Sequence, residues 1–471
     1  MKGVKDKKIL IFGLGRSGAA AATLLSRLGA EVTVTDKKSC DELREYTERL
    51  SPSVRLCLGG YPSNMNGTDM IVVSPGVPLS IEPILNARKK GIKVIGELEL
   101  AYQTLKAVQH PSFLAITGTN GKSTTTTLLD LMLRRSGFRT ILGGNIGNAL
   151  TEEIQEAISY QLSAISYIVA EVSSFQLESI EEFKPKVAAI LNITPDHMDR
   201  YHSMDEYREA KANIFMNQDE NDFLVLNADD PETMKLYNEK FKIQKAKSPG
   251  VYFFSRKGEV KGIYFRGGQI YCNIPDLPLA PYPLPLIGAD GIRIKGVHNL
   301  ENAMASAAMA LLAGCLPDAA VEALRDFPGL EHRLEFVREI DGIKFINDSK
   351  GTNVGAVLKS IEGFPEPIIL IAGGRDKAGD FAPLMPLIRE KVKAIILIGE
   401  AALKFQKAFG RLTRTVIASD MEDAVSIARG MARSGDIVLL SPACASFDMF
   451  RDFEDRGRRF KDAVMRLTRD E

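Results

Sequence analysis

Short apolar runs that end in glycine or a polar turn recur along the chain, with helical repeats between them. Runs of this kind predict strands of a parallel sheet covered by helices on both faces. In a first segment, about residues 1–108, they are Lys8–Phe12, Glu31–Asp36, Met70–Val73 and Lys93–Glu97. An alanine-rich helical stretch to Leu28 lies between the first two. In a second segment, about 109–328, Phe113–Ile116, Tyr167–Ala170, Val187–Ile193 and Phe223–Asn227 read the same way. Thr125–Arg135 carries Leu128, Leu129, Leu131, Met132 and Leu133, a helical pattern. Val251–Cys272, rich in Tyr, Phe and Gly, predicts β-hairpins, and a proline-rich stretch follows over Asn273–Ile287. Phe327-Pro328-Gly329-Leu330 reads as a linker into a third segment, about 329–471, with strands at Ile343–Asn347, Ile368–Ala372, Ala394–Ile398 and Ile437–Leu440. Strands alternating with helices predict the α/β class.

The chemistry collects where these runs end. Phe113–Ile116 leads into Gly118-Thr119-Asn120-Gly121-Lys122-Ser123-Thr124, and a helix follows. A strand, a glycine turn, Lys-Ser and a helix make a phosphate-binding loop. Glycines let backbone N–H groups close on phosphate oxygens, and the helix N-terminus adds positive partial charge. Lys122 is placed to reach the outer phosphates and the Ser123 hydroxyl to sit on Mg²⁺. The spacing departs from the generic P-loop, because Ile116 stands where its first glycine belongs.

A second glycine loop, Gly13-Leu14-Gly15-Arg16-Ser17-Gly18, follows the first strand, and Asp36 closes the next one. This is a dinucleotide-type fingerprint. Its physical content is a diphosphate on a helix N-terminus and a carboxylate near the far end of the ligand. NAD and a UDP-sugar both satisfy that. Ser74, at the end of Met70–Val73, fits turn chemistry as well as a ligand contact.

Glu171 ends Tyr167–Ala170 in the same sheet as the phosphate loop, where an acid is placed to hold Mg²⁺. Gly143–Gly147 brackets Asn145, which offers both donor and acceptor. His197 follows a strand end among acids and suits a metal or a phosphate. Lys211, in the helical stretch Glu206–Asn213, reads as a solvated lysine. Asn299 and Asn302 share a face at the start of an alanine-rich helix, next to His298. Arg333 is a candidate phosphate clamp. Lys350 and Lys377 follow two strand ends of one sheet and suit a substrate carboxylate, whereas Cys444 reads as a buried thiol.

Composition narrows the partners. Lys plus Arg and Asp plus Glu are each 60 in 471 residues, so net charge is zero, which argues against nucleic acid or a membrane surface as the main partner. The five cysteines are scattered without a CxxC pair, which fits reduced thiols in a cytoplasm. No signal peptide is visible, and no apolar run approaches the ~18 residues of a membrane span.

In order along the chain, Gly118–Thr124, Glu171-Val-Ser-Ser-Phe-Gln176, Asn192-Ile-Thr-Pro-Asp-His-Met-Asp199, His298-Asn299, His332-Arg333, Asp348-Ser-Lys350, Gly373-Gly-Arg-Asp-Lys377 and Ser441-Pro-Ala-Cys-Ala-Ser446 resemble the bacterial Mur ligases. The resemblance implies three α/β domains: an N-terminal Rossmann-like sheet, a central P-loop-type ATPase domain and a C-terminal Rossmann-like domain. It implies an ATP- and Mg²⁺-dependent ligase, monomeric and cytoplasmic, that joins D-glutamate to UDP-N-acetylmuramoyl-L-alanine through an acyl phosphate.

By the same resemblance, Gly15, Arg16, Ser17, Asp36, Lys37 and Ser74 hold the uridine diphosphate, while Asn145 and His197 lie along the muramoyl-alanine end. Gly118, Thr119, Asn120, Gly121, Lys122, Ser123 and Thr124 take the ATP phosphates, with Asn299, Asn302, Arg333 and Asp348 around the nucleotide. Ser123, Glu171, His197 and a carbamylated Lys211 form the metal set, and Lys122, Glu171, His197 and Lys211 carry catalysis. Lys350, Thr352, Lys377, Ser446, Phe447 and Phe453 form the D-glutamate pocket. Arg375 stands where an acid is commoner in this family.

Overall fold

Among the described residues, three sheets fed by the apolar runs above hold the strands. The computed structural model describes residues 4–62, 65–108, 111–159, 165–198, 200–241, 248–278, 281–376 and 380–467, side chains at 108 and 156–159 aside. The first sheet has five parallel strands in the order Arg55–Leu58, Glu31–Asp36, Lys8–Phe12, Met70–Val73 and Lys93–Gly96. The order reverses direction at Lys8–Phe12, which leaves a crevice beyond the carboxyl end of that strand. The glycine loop, Asp36 and Ser74 all follow strands that meet there.

The second sheet has nine strands. Its parallel part runs Gly262–Arg266, Gly250–Ser255, Phe223–Asn227, Val187–Ile190, Ser112–Thr117, Tyr167–Glu171 and Thr140–Gly144. Gln269–Asn273 and Leu284–Gly288 then extend it antiparallel from Gly262–Arg266. The predicted hairpins over Val251–Cys272 are therefore corrected. Gly262–Arg266 and Gln269–Asn273 form a hairpin, but Gly250–Ser255 pairs parallel with Gly262–Arg266. The proline-rich stretch supplies the edge strand, where Pro285 lacks an N–H that an outer edge does not need.

The third sheet has six strands in the order Glu335–Ile340, Ile343–Asn347, Ile437–Leu440, Ile368–Gly373, Val392–Ile398 and Arg414–Ile417. Only the first pair is antiparallel. The four strands expected from sequence are its centre, buried on both faces, and the two that were missed are its edges. Val357, Ile361, Leu370, Phe381, Phe405 and Phe409 pack on one face. Phe345, Ile371, Ile396, Val425 and Phe460 pack on the other. Each such side chain, once buried, contributes about 1.5–3 kcal/mol.

The described residues fall into two compact units. The first comprises Met1–Ile193, Ser203–Ala289 and Asn302–Arg325, and holds the first two sheets. The second comprises Thr194–His202, Asp290–Glu301 and Asp326–Glu471, and holds the third. Lys93–Glu97 does not end as a strand. Pairing stops at Gly96, and Glu97 opens the helix Glu97–Val108.

Candidate active site

The loop after Ser112–Thr117 is built by glycine. Gly118 has φ +153° and Gly121 has φ +85°, left-handed values that β-carbons oppose. A Cβ on Gly121 would lie 2.3 Å from Asn302 Oδ1, so Asn302 sits directly against the turn. Gly121 caps the helix Lys122–Arg135, which starts at the lysine. The loop is pinned from the neighbouring strand: Asn120 N donates to Asn192 Oδ1 at 2.8 Å, and Asn192 Nδ2 donates to Asn120 O at 3.0 Å. Lys122 Nζ bends over the loop and donates to the carbonyls of Gly118 (2.9 Å) and Thr119 (3.0 Å). A cation over a ring of backbone amides at a helix N-terminus is chemically matched to a polyphosphate.

Glu171 ends the adjacent strand and is 2% exposed. Its Oε1 accepts from Asn145 Nδ2 at 2.7 Å, and its Oε2 is buried without a partner. A spare buried carboxylate oxygen beside a phosphate loop fits a hard divalent cation such as Mg²⁺. Asn145 and Glu171, two separate candidates in the sequence, thus meet.

Lys211 corrects the solvated reading. It is 1% exposed, with Nζ 3.1 Å from Gly118 O and 4.5 Å from the centre of the Tyr207 ring. Tyr207 OH lies 3.3 Å from Thr119 Oγ1, so one helix, Met204–Ala212, underlies the loop with both residues. Glu209, on the same helix, is exposed and pairs with Lys240. A charge count cannot tell such positions apart.

In the first sheet, Asp36 is committed to the glycine loop. Its Oδ2 accepts from Leu14 N at 2.7 Å and its Oδ1 from Lys38 N at 2.9 Å. Ser74 Oγ donates to Gly13 O at 2.9 Å, so its turn role is real. A Cβ on Gly18 would lie 1.9 Å from Gly13 O, whereas one on Gly15 meets nothing within 4 Å. Gly15 is left open at the helix N-terminus, beside Arg16 and Ser17. Lys37 Nζ stands 5.4 Å from the Tyr61 ring centre.

The second unit carries the remaining residues. Asp348 follows the strand Ile343–Asn347, and its Oδ2 accepts from Ser360 Oγ and Ser441 Oγ, both at 2.7 Å. Burial pushes its carboxyl up to about 6, against the two hydroxyls and the Arg333 charge. Lys350 Nζ lies 3.6 Å from the Phe453 ring centre, Thr352 N donates to Lys350 O, and Ser446 is buried nearby in chain after Ile437–Leu440. Phe447 is 63% exposed, so it is no part of this unit's packed core. Lys377 lies outside the described residues. Cys444 is a buried thiol pushed up to about 12 by its burial, as the sequence implied.

His197 holds φ +56°, with its N–H on Asp196 Oδ1 at 2.9 Å, and belongs to this second unit. The predicted metal set is therefore divided, with Ser123, Glu171 and Lys211 in the first unit. Asn299 and Asn302 are divided likewise, and Asn299 Nδ2 donates to Lys295 O at 2.8 Å. Burial, and then the Lys359 charge, lower His298 to about 4, and its Nδ1 is buried without a partner. Arg375 pairs with Glu400 at 3.3 Å on the surface.

Arg456, in the stretch Phe450–Gly457, is given no site role by the sequence alone. It is fully buried, and its guanidinium donates to Ser349 Oγ (3.0 Å), Ser349 O (2.8 Å), Cys444 O (3.2 Å) and Ala445 O (3.4 Å). Burial lowers it to about 10. It ties together the loops that carry Lys350, Ser446 and Phe453. Its signal in sequence is an arginine on the apolar stripe of an otherwise charged helix, four residues before the buried Phe460.

The three sheets coincide with three family models, described as the Mur ligase MurD-like N-terminal domain (residues 7–96), the Mur ligase middle domain (116–310) and the Mur ligase glutamate ligase domain (332–444). The chain belongs to the Mur ligase family. Three similar relatives are UDP-N-acetylmuramoylalanine–D-glutamate ligases. That of Citrifermentans bemidjiense is 46% identical over 98% of both chains. That of Pelotomaculum thermopropionicum is 43% identical over 100% of both. That of Clostridioides difficile is 43% identical over 98% of this chain and 99% of the other.

Solved structures share the fold of this Mur ligase. The UDP-N-acetylmuramate–alanine ligase of Thermotoga maritima matches with TM-score 0.59 and 19% identity, over 98% of this chain and 99% of that one. A pseudomurein peptide ligase type C from Methanothermus fervidus matches with TM-score 0.57 and 19% identity, over 98% and 100%.

Proposed function

We infer that this Mur ligase adds D-glutamate to UDP-N-acetylmuramoyl-L-alanine at the expense of ATP, in peptidoglycan precursor synthesis. The full-length identity to relatives of that name supports the reading. The observation that carries the chemistry is the Lys122 loop beside the spare oxygen of Glu171. The substrate carboxylate attacks the ATP γ-phosphorus, the bond to the β-phosphate oxygen breaks, and an acyl phosphate and ADP result. The D-glutamate amine then attacks the acyl carbon, loses a proton, and expels phosphate, so that an amide forms.

The chain's part is to bind and to offset charge. Loop amides and Lys122 hold the phosphates, and Asn302 and Asn192 keep the loop in shape. Glu171 and the Ser123 hydroxyl would hold Mg²⁺, which would screen the phosphate charge when bound. Lys211, with carbamylation as part of the proposal, backs the loop from below. Arg16, Ser17, Asp36, Lys37 and Ser74 are assigned to the nucleotide-sugar, with Asn145 and His197 toward its muramoyl end. Lys350, Thr352, Lys377, Ser446, Phe447 and Phe453 are assigned to D-glutamate, and Asn299, Arg333 and Asp348 to ATP.

The proposed domains are 1–108 for the nucleotide-sugar, 109–328 for ATP and 329–471 for the amino acid. A cytoplasmic monomer completes the proposal. No helix among the described residues is long and apolar enough to cross a membrane. The test is phosphate release with UDP-N-acetylmuramoyl-L-alanine across a panel of D- and L-amino acids. Release with D-glutamate alone is expected. Equal release with L-alanine or a diamino acid would refute the substrate assignment.

A further inference from the structure

Arg333 stands between two residues whose backbone β-carbons oppose. His332 has φ +63° and Leu334 has φ +44°. Left-handed residues other than glycine persist where their surroundings hold them. Here the holder is a buried polar cluster packed on the helix Phe453–Arg466, within the second unit.

Asn347 is its centre. It ends the strand Ile343–Asn347 and is fully buried. Its Oδ1 accepts from Ser349 N at 3.1 Å, which turns the amide nitrogen toward His332. Nδ2 lies 2.8 Å from His332 Nδ1 and donates to Glu335 Oε2 (3.0 Å) and Gly457 O (3.3 Å). Facing an amide N–H, His332 Nδ1 accepts, so the ring is neutral and keeps its proton on Nε2. Burial works the same way and lowers the ring from its usual value, with Lys461 and Arg458 adding to it and Glu331 and Glu335 opposing. Gly457 lets the ring in, since a Cβ there would lie 2.2 Å from Nδ1. Phe453 meets the ring edge-on, with centres 6.3 Å apart.

Glu331, His332 and Glu335 bring three metal-type donors within 4.8 Å of one another. Lys461 Nζ already bridges the two acids, at 2.7 Å from Glu331 and 2.6 Å from Glu335. The cluster has its own cation and acts as a brace. That brace ends on two residues already assigned. Glu335 Oε2 accepts from His332 N at 2.9 Å, which fixes the backbone one residue before Arg333. His332 O accepts from Lys350 N at 3.1 Å. Under the reading above, on which this rests, Arg333 serves ATP and Lys350 serves D-glutamate.

We propose that Asn347 is a positioning residue: by holding His332 against Gly457 it sets the backbone that carries both Arg333 and Lys350, and so fixes the spacing between the ATP contact and the D-glutamate contact. The test reads phosphate release on the full chain, with each substrate varied in turn and the other two saturating. Asn347→Asp keeps the shape and still accepts from Ser349 N. Its carboxylate cannot donate to His332 Nδ1 and stands beside Glu335. KM for ATP and KM for D-glutamate are each expected to rise ~10-fold, with KM for the nucleotide-sugar within ~2-fold of the parent. Arg333→Ala raises KM for ATP, and adding Asn347→Asp raises that KM no further. A fall in kcat with all three KM values unchanged is what a merely structural role predicts. That result, or effects on KM for ATP that add, would overturn the proposal.

If Arg333→Ala leaves KM for ATP untouched, or Lys350→Ala leaves KM for D-glutamate untouched, that residue's assignment falls, and the proposal with it. If both raise their KM and Asn347→Asp does not, the proposal alone falls. Should Asn347→Asp not fold, His332→Gly takes its place. Glycine adopts the left-handed backbone freely, while the ring and its bond to Asn347 are lost. A rise of ~5-fold in KM for ATP and for D-glutamate is then expected, and no rise in either would overturn the proposal.

Discussion

The chain builds two glycine loops on one plan and gives them different tasks. Both follow an interior strand paired parallel on either side, and both open a helix. In the loop Gly13–Gly18 the shaping group is an acid: Asp36 accepts from Leu14 N, and no lysine opens the helix. In the loop Gly118–Lys122 the shaping group is a neutral amide, Asn192, and the helix opens on Lys122. A neighbouring carboxylate repels a triphosphate but tolerates a diphosphate whose charge lies at the helix end and on Arg16. An amide clamp leaves the full field of Lys122 for the anion. The backbone plan makes an anion site, and the residue that clamps it sets how much charge the site accepts.

The strongest way to break that contrast is Lys122→Ala. A fall in amide formation of about 10³-fold is expected, the scale of losing one aimed charge in a water-poor site. Melting temperature should hold, because the Gly118 and Thr119 carbonyls that Lys122 bonds can turn to water once the side chain is gone. Turnover near the parent's in a rapid-quench assay would place the chemistry elsewhere. Next is Glu171→Gln, which can still accept from Asn145 but no longer offers an anionic oxygen. Activity should drop by about 100-fold, at least what loss of an outer partner costs at a metal site. The Mg²⁺ concentration for half-maximal rate should rise with it. An unchanged Mg²⁺ titration would mean that the spare oxygen serves no cation.

Much of this was legible in the sequence because it is local. Strand, glycine turn and helix follow each other along the chain, so Lys122, Ser123, Gly15 and Arg16 could be placed without a fold. Glu171 and Asp348 were legible because each acid stands at the carboxyl end of a strand in its own sheet. Lys211 was not, since only the pairing of distant helix and loop shows that its amine is buried against Gly118 O. Arg456 was hidden for the same reason: its partners Ser349, Cys444 and Ala445 come from two other strand ends. The missed strands Arg55–Leu58, Glu335–Ile340 and Arg414–Ile417 are edge strands whose exposed or half-exposed faces dilute the apolar signal.

The strand-end acids sharpen the contrast further. Asp36 spends both oxygens on backbone N–H groups, whereas Asp348 is held by two serine hydroxyls and by the distant charge of Arg333. Its carboxyl stands raised from 3.8 to about 6 by burial. Above pH 6 the folded chain carries an ionised group that the unfolded chain solvates better, so Asp348 costs stability there. The cost fades as pH falls from 6 toward 4, because the folded form takes up its proton first. Asp348→Asn should therefore stabilise the second unit at pH 7.5, by at most about 3 kcal/mol, and by far less near pH 4.5. Denaturant midpoints at the two pH values measure this. A variant less stable than the parent at pH 7.5 would show that the ionised form is held by more than the serines.

The smallest expected effect is also the cleanest separation of fold from ligand. At Gly18 a methyl group would meet Gly13 O at 1.9 Å, so Gly18→Ala must move the backbone of the loop. It should cost about 1–3 kcal/mol of stability, as overpacking does. At Gly15 the same methyl group meets no protein atom within 4 Å, and φ is −104°, which alanine adopts freely. Gly15→Ala should leave the melting temperature where it is. Any effect it has must come from what approaches the loop from outside. A diphosphate seated on this helix end would meet the methyl group, and KM for the nucleotide-sugar should rise by ~5-fold, about 1 kcal/mol, with kcat held. If Gly15→Ala changes neither stability nor KM, the diphosphate does not sit on the first loop, and the likeness between the two loops ends at their backbones.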